Sequence, residues 1–429
     1  DFVMRLSGAY TLKNLSGTPY LLPFGQNLAV HCRQLKLNDM GAFLWYAIKE
    51  LTENDEFLYN SGDDDFYGKL VDRVMLYMRD YAPERKVVER DVREYIAFLT
   101  AQKALIPHGG YFAGSSFYEG DSSHRENSKS AMYSAPSDLS GDVFFLRIAD
   151  ITVRINADAA LLAKPLLSFI VDDISSSDAE SCDLDIDEKY TADNASILIN
   201  GSELKIYDTE IGYIVRYPSS DRINAVHISK DGRNAVFYLS GEYDNYMRYD
   251  VFHAIRLVFS YTAALYGMYL MHSASFKYNG RAYLFSGPSG MGKSTHTGLW
   301  KSLYPKEVEM LNGDLNLIAP RNGVPYVYGL PWCGTSGIND TASYPLGGII
   351  FLKKSSGDTV ITLDPDERVL ALSRRLISPC WDGEMLQDQL KLSKEISDRI
   401  FMCRLLCTRE PSALYAICPA VDKYLQQQS

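Results

Sequence analysis

Gly287-Pro288-Ser289-Gly290-Met291-Gly292-Lys293-Ser294 decides the reading of this chain. Gly287 and Gly292 frame the segment, and Lys and Ser follow at once. Glycines let successive backbone N–H groups turn inward on phosphate oxygens, where a Cβ would intrude. Lys293 is placed to reach terminal phosphates, and Ser294 to put its hydroxyl on Mg2+. The flanks agree. Ala282-Tyr283-Leu284-Phe285-Ser286 predicts a buried strand running into the loop. Ser294 to about Ser302 predicts the helix leaving it, so a helix N-terminus faces the anion. Strand, loop and helix together predict a nucleotide site. Its residues are Gly287, Ser289, Gly290, Met291, Gly292, Lys293, Ser294 and Thr295.

The rest of the composition narrows the class. A chain of 429 residues predicts two or three domains. A net charge of −11 argues against nucleic acid as the main partner. No apolar run approaches the ~18 residues that span a bilayer, and the first residues show no secretory pattern. Seven scattered cysteines, an odd number, read as reduced thiols. These features predict a cytoplasmic protein without a membrane partner. The oligomeric state stays open, a homo-oligomer included.

The first 108 residues form one region. Tyr10-Thr11-Leu12, Pro19-Tyr20-Leu21-Leu22 and Leu28-Ala29-Val30-His31 predict short strands separated by turns. Asn38 predicts an N-cap before a helix whose apolar face is Met40, Phe43, Leu44, Ala47 and Ile48. A second helix carries Phe66, Leu70, Val74, Tyr77 and Met78. A third carries Val92, Tyr95, Ile96 and Leu99 and closes with Ala104-Leu105-Ile106. Small strands and three helices predict a winged-helix-like domain. Tyr10-Thr11-Leu12, the strand pair around Gly25, and Leu37-Asn38-Asp39-Met40-Gly41-Ala42-Phe43-Leu44-Trp45 resemble the PqqD family of peptide-recognition domains. That resemblance implies capture of a precursor peptide, whose leader segment adds as a strand, and peptide-maturation enzymes as further partners. The presumed third helix lacks the basic face of a DNA reader.

Residues 109–141 are polar and Ser-rich and predict a linker. Residues 142–250 predict a β-rich part, with strands from Val143 to Leu239, a turn at Asn200-Gly201 and an acidic loop at 172–178. Residues 251–429 predict the catalytic domain. Asp250 to Leu270 reads as a buried helix with an aromatic stripe that belongs to the core.

Met271-His272-Ser273 then precedes a strand that Asn279-Gly280 folds into a hairpin. The hairpin brings His272 back to the loop end of the sheet. His272, the hairpin and Gly287 to Ser294 resemble the HPr kinase/phosphorylase catalytic domain, itself similar to ATP-dependent PEP carboxykinases. Leu311-Asn312-Gly313-Asp314-Leu315-Asn316-Leu317-Ile318, Pro331-Trp332-Cys333-Gly334 and Tyr344 to Leu352 support it. The fold implied is α/β: a P-loop catalytic domain on a mixed sheet, joined to the N-terminal domain in an α+β multidomain chain.

The resemblance implies an ATP-dependent kinase that phosphorylates a Ser or Thr hydroxyl of a ribosomally made precursor peptide. Lys293 would hold phosphates, Ser294 and Asp314 would hold Mg2+, and His272 would assist proton transfer or orient the transferred phosphoryl group. His296 reads as a helix-surface residue and Cys333 as a small packed one. One departure stands out: Gly313 replaces the first acid of the family's pair. The base would then be His272, Asp314 or an acid from elsewhere, with Asp208, Glu210 and Glu307 available. Two alternatives follow: a nucleotide-gated peptide chaperone without transfer, and a small-molecule kinase regulated by its N-terminal domain. Aspartate at 313 would restore the pair, so Gly313→Asp separates a kinase from a chaperone. A carboxykinase proper is disfavoured, because no arginine cluster is visible around the loop.

Overall fold

The computed structural model describes residues 4–6, 10–15, 18–23, 35–52, 63–102, 104–107, 142–171, 180–182, 196–200, 204–210, 212–218, 220, 222–240, 244–288, 290–377 and 383–428. The chain divides into two compact units, Asp1–Glu126 with Ile197–Lys205 and Cys380–Gly383, and the remainder. Both mix helices with sheets, so the fold is α/β.

In the first unit, Tyr10–Leu15 and Thr18–Pro23 form a hairpin, and Leu35–Lys36 adds beside the second strand. Asn38 caps the following helix as the sequence predicts, its Oδ1 accepting the Gly41 N–H at 2.8 Å. That helix, Asp39–Thr52, buries Leu44, Trp45, Ala47, Ile48 and Leu51. The face is rotated slightly from the predicted one: Met40 and Phe43 are only half-buried, while Trp45 is inside. Helices Asp63–Tyr77 and Arg85–Ala101 complete the core through Phe66, Leu70, Val74, Val88, Val92, Ile96 and Leu99. Burying each such side chain is worth about 1.5–3 kcal/mol. Leu105–Pro107 does not close the third helix; it is a strand antiparallel to Met4–Leu6. The helix stops at Ala101 and the chain turns through Gln102. The predicted strand 28–31 and the linker 109–141 lie outside the described residues, as does Gly201 of the predicted turn.

The second unit begins with the antiparallel pair Asp142–Ile148 and Ile151–Ala157. An antiparallel meander follows through Gly212–Arg216, Ile223–Ser229 and Ala235–Leu239. The long helix runs Asn245–Leu265, with Asp244 accepting the Met247 N–H at 2.7 Å as its cap. It ends five residues before the predicted Leu270, because the chain reverses at Gly267 with φ +71° and Tyr269 already starts a strand.

That strand, Tyr269–Tyr278, organises the sheet that carries the glycine loop by changing partners along its length. Tyr269–His272 pairs with Leu315–Arg321, and Ser273–Tyr278 pairs with Arg281–Ser286. Asn279 and Gly280 turn the hairpin with φ of +48° and +74°, the conformation of a tight two-residue β-turn. Arg281–Ser286 then runs parallel to Ser343–Lys354, which runs parallel to Phe401–Cys407. Gly347 permits this approach, since a Cβ there would lie 2.7 Å from the Tyr283 ring. Phe276, Tyr283, Phe285 and Trp300 fill one side of the sheet and fix the loop helix Lys293–Leu303 against it.

Candidate active site

The site forms where Arg281–Ser286 gives way to the glycine loop. Gly290 and Gly292 both adopt positive φ, +70° and +96°. Gly292 is the N-cap of the loop helix and offers no side-chain oxygen, so the first N–H groups are left for a ligand. Gly287 is pressed against Met291, whose Cγ would lie 3.0 Å from an added Cβ. Met291 is half-buried, Ser294 and Thr295 are exposed, and Ser289 lies outside the described residues.

Lys293 is buried, and among the described residues its Nζ hydrogen-bonds the Gly287 carbonyl alone, at 3.4 Å. Burial lowers its pKa, Asp314 opposes that shift, and Arg375 adds to it. A buried ammonium without a close counter-ion is costly, and a bound phosphate would relieve the cost.

Facing it is a pair of side chains from neighbouring strands. His272 Nε2 donates to Asp314 Oδ1 at 3.1 Å. In an unbroken ladder the two would lie on opposite faces, since His272 pairs with Leu315. The run Leu311 to Ile318 is not one strand: it is broken at Gly313-Asp314, between Glu309–Asn312 and Leu315–Arg321. The break turns Asp314 toward His272. Asn312 holds it open: its Oδ1 accepts from the N–H groups of Asp314 and Leu315 at 2.9 and 3.1 Å, and its Nδ2 donates to Leu330 O at 3.0 Å. Beneath lie more buried polar groups. Ser275 Oγ donates to Asn316 Oδ1 at 2.6 Å, Asn316 Nδ2 donates to Ser273 O at 2.7 Å, and Ser286 Oγ donates to His272 O at 2.7 Å. Each of these groups has a partner, so the network fixes the His272 and Asp314 segments at low cost.

The His272 hydrogen bond is the largest influence holding the Asp314 carboxyl below its usual range. Burial opposes it, while the charges of His272, Lys293 and Arg256 assist. Asp314 is therefore an anion at neutral pH, with Oδ1 engaged by His272 and its other oxygen left to take a cation.

Gly313 has a steric explanation. A Cβ there would collide with the Ser336 hydroxyl and lie 2.5 Å from Ser336 Cβ. Ser336 is pinned in turn, its Oγ donating to Cys333 O at 2.7 Å. Gly334, φ +59°, abuts Asp314 from the same turn, a Cβ there lying 3.0 Å from the Asp314 Cβ. The turn after Pro331-Trp332 thus fills the space of a first acidic side chain.

The other acids named from sequence are not brought in. Asp208 is ion-paired with Lys230, while Glu210 and Glu307 are exposed. His296 is not on the helix surface: it is 3% exposed, its ring packed 5.6 Å from Phe285, and burial lowers its pKa. The loop helix is covered on that side by the sheet. Cys333 is buried, and burial pushes its thiol pKa up, which suits a packing role.

Two arginines escaped the sequence reading. Arg256 lies on the long helix within the field of Asp314. Arg375, within the field of Lys293, precedes the short strand Leu376–Ile377, and its carbonyl accepts the His272 N–H at 3.1 Å. Only Arg375 of the two is within the field of Lys293, while Arg256 is felt at Asp314, so the pair does not amount to a cluster around the loop. Their remoteness along the chain hid them, and only the pairing of Leu376–Ile377 with the hairpin strand delivers Arg375.

No protein-family model matches the chain, and no curated protein sequence matches it. Among solved structures, the Hpr(Ser) kinase/phosphatase from Coxiella burnetii is similar at 12% identity, over 37% of this chain and 99% of that one, with a TM-score of 0.22. Among the described residues no helix is long and apolar enough to cross a membrane.

Proposed function

We propose that this chain is an ATP-dependent phosphotransferase that phosphorylates a Ser or Thr hydroxyl of a ribosomally made precursor peptide captured by its first unit. The observation that carries the reading is the His272–Asp314 contact of 3.1 Å beside a buried Lys293 at the head of the glycine-loop helix. Bound Mg-ATP would supply the transferable phosphoryl group and a cation that offsets its charge. The uncapped helix N-terminus and Lys293 fit its phosphates, and Ser294 with the free oxygen of Asp314 fits Mg2+. With Nε2 engaged by Asp314, the neutral imidazole of His272 would offer Nδ1 to the proton of the acceptor hydroxyl. Asp314 would stabilise the imidazolium that results.

The peptide assignment rests on the helix start Leu37 to Trp45 and on the small three-stranded sheet of the first unit, a surface suited to strand addition. The test is to incubate the protein with Mg-ATP and the precursor peptide encoded beside its gene, with and without excess free leader segment. Phosphopeptide should accumulate, and the leader should suppress it. Product that is indifferent to the leader would favour a kinase of small molecules.

One observation favours a second reading. The Ser336 turn fills the place of a first acid, leaving a single carboxylate at the break. A nucleotide-gated peptide chaperone would bind both ligands and form no product.

A further inference from the structure

The long helix carries polar side chains that the phosphotransferase reading leaves unused. Tyr249, His253 and Arg256 recur at helical spacing along Asn245–Leu265. That part of the helix packs against the turn beside Asp314. Phe252 and Phe259 lie 5.8 and 5.6 Å from the Trp332 ring, Trp332 Nε1 donates to Phe252 O at 3.0 Å, and Gly334 abuts Asp314. The His253 ring stands edge-on to Tyr249 at 4.2 Å. Tyr217 follows the strand Gly212–Arg216, and its loop is tied to the helix by Ser220 Oγ, which donates to Asp250 Oδ2 at 3.0 Å. Arg256 lies within the field of Tyr217, Tyr249 and Asp314 together.

These groups lack partners. Among the described residues, the Tyr217 hydroxyl and both ring nitrogens of His253 are buried without a hydrogen bond. Arg256 is half-buried, and no described carboxylate forms an ion pair with it. Buried polar groups are ordinarily satisfied, so three unsatisfied atoms on Tyr217 and His253, the latter one helical turn from Arg256, mark a place where a partner arrives. Lys293, Arg375 and Arg256 are linked here only through their charges: Arg375 acts on Lys293, and Arg256 on Asp314 and His253.

We infer that Arg256, Tyr217 and His253 form a carboxylate-binding subsite for the phosphoryl acceptor, beside Asp314. A guanidinium fork, a phenol O–H and an imidazole N–H are the donors that a carboxylate takes. The inference rests on the phosphotransferase reading and narrows it: the acceptor carries a carboxylate close to its hydroxyl. That carboxylate is either an acidic side chain next to Ser or Thr, or the free C-terminus of the peptide.

The test uses three short synthetic Ser peptides: one neutral with an amidated end, one with Asp beside Ser, and one ending in a free carboxylate. Their binding to the full chain is measured by calorimetry and their phosphorylation with Mg-ATP by mass spectrometry. At least one acidic peptide should bind about tenfold more tightly than the neutral one. Arg256→Gln should erase that preference, and Arg256→Lys should keep part of it. Tyr217→Phe removes only an unpartnered hydroxyl, so the fold survives it. It should raise the melting temperature while weakening the preference severalfold. Equal binding of all three peptides, or a preference that survives Arg256→Gln, overturns the subsite. A carboxylate preference without phosphate transfer leaves the subsite standing and removes the kinase reading. Transfer without the preference does the reverse.

Discussion

Ser336 stands where a side chain on Gly313 would stand. A Cβ at 313 would collide with the Ser336 hydroxyl, which is itself held by Cys333 O at 2.7 Å. Gly313→Asp alone should therefore not create an acid pair. It should destabilise the protein by roughly 1–3 kcal/mol through overpacking and lower any activity. Gly313→Asp with Ser336→Gly should recover part of the stability, because the obstructing side chain is gone. Thermal unfolding of the single and double variants checks this. A single variant as stable as the parent would contradict the packing argument.

Lys293 is held against its own charge. Lys293→Met keeps the aliphatic stem and removes a buried ammonium that has no close counter-ion among the described residues. The melting temperature of the ligand-free protein should hold or rise, while ATP affinity falls by about a hundredfold or more, the worth of a desolvated phosphate contact. Calorimetry with ATP and a melting curve read the two effects separately. Unchanged ATP binding would place the phosphates elsewhere.

The pH dependence of stability follows from His253, whose pKa burial lowers to about 4, with the Arg256 charge assisting. The folded value lies below the unfolded value of about 6.5. Between these limits the unfolded chain binds more protons, so stability rises with pH across that window and falls on acidification. The contribution is up to about 3 kcal/mol. His253→Gln should flatten the melting temperature between about pH 4 and 6.5 relative to the parent. Asp314 acts with the opposite cause but the same direction at lower pH. Its depressed carboxyl pKa gives stability that is present above the usual carboxylate range and lost as pH falls through its folded value.

Asn312 ties the strand break together through three side-chain hydrogen bonds and a backbone N–H donated to Ser275 Oγ at 3.1 Å. Asn312→Ala leaves two N–H groups and a carbonyl unsatisfied in a buried place and should cost about 2–4 kcal/mol. It should also loosen Asp314. Where the variant folds, turnover should fall more than ATP affinity, since Lys293 is untouched.

The sequence revealed those parts of the site that local chemistry dictates. Asn279-Gly280 carries its turn type in its residues, and the glycines of the loop carry their φ. Asn38 declared its helix because a cap is a contact over three residues. Other features depend on long-range pairing. The strand break at Gly313-Asp314 is invisible without Asn312 folded back on it, and the run from Leu311 to Ile318 reads as one strand. Gly313 read as a lost acid when it is a close-packed backbone shared with Ser336. Arg256 and Arg375 are separated from the loop by whole elements, and His296 read as exposed because the sheet that covers it comes from elsewhere.

The most direct test of the central claim is transfer of the γ-phosphate of labelled ATP to the precursor peptide by the full chain, with Asp314→Asn and His272→Gln beside it. The account predicts labelled peptide with the parent. It also predicts at least a hundredfold loss in each variant, with ATP still bound. Tight binding of ATP and peptide with no labelled product, or transfer that survives both substitutions, would contradict it.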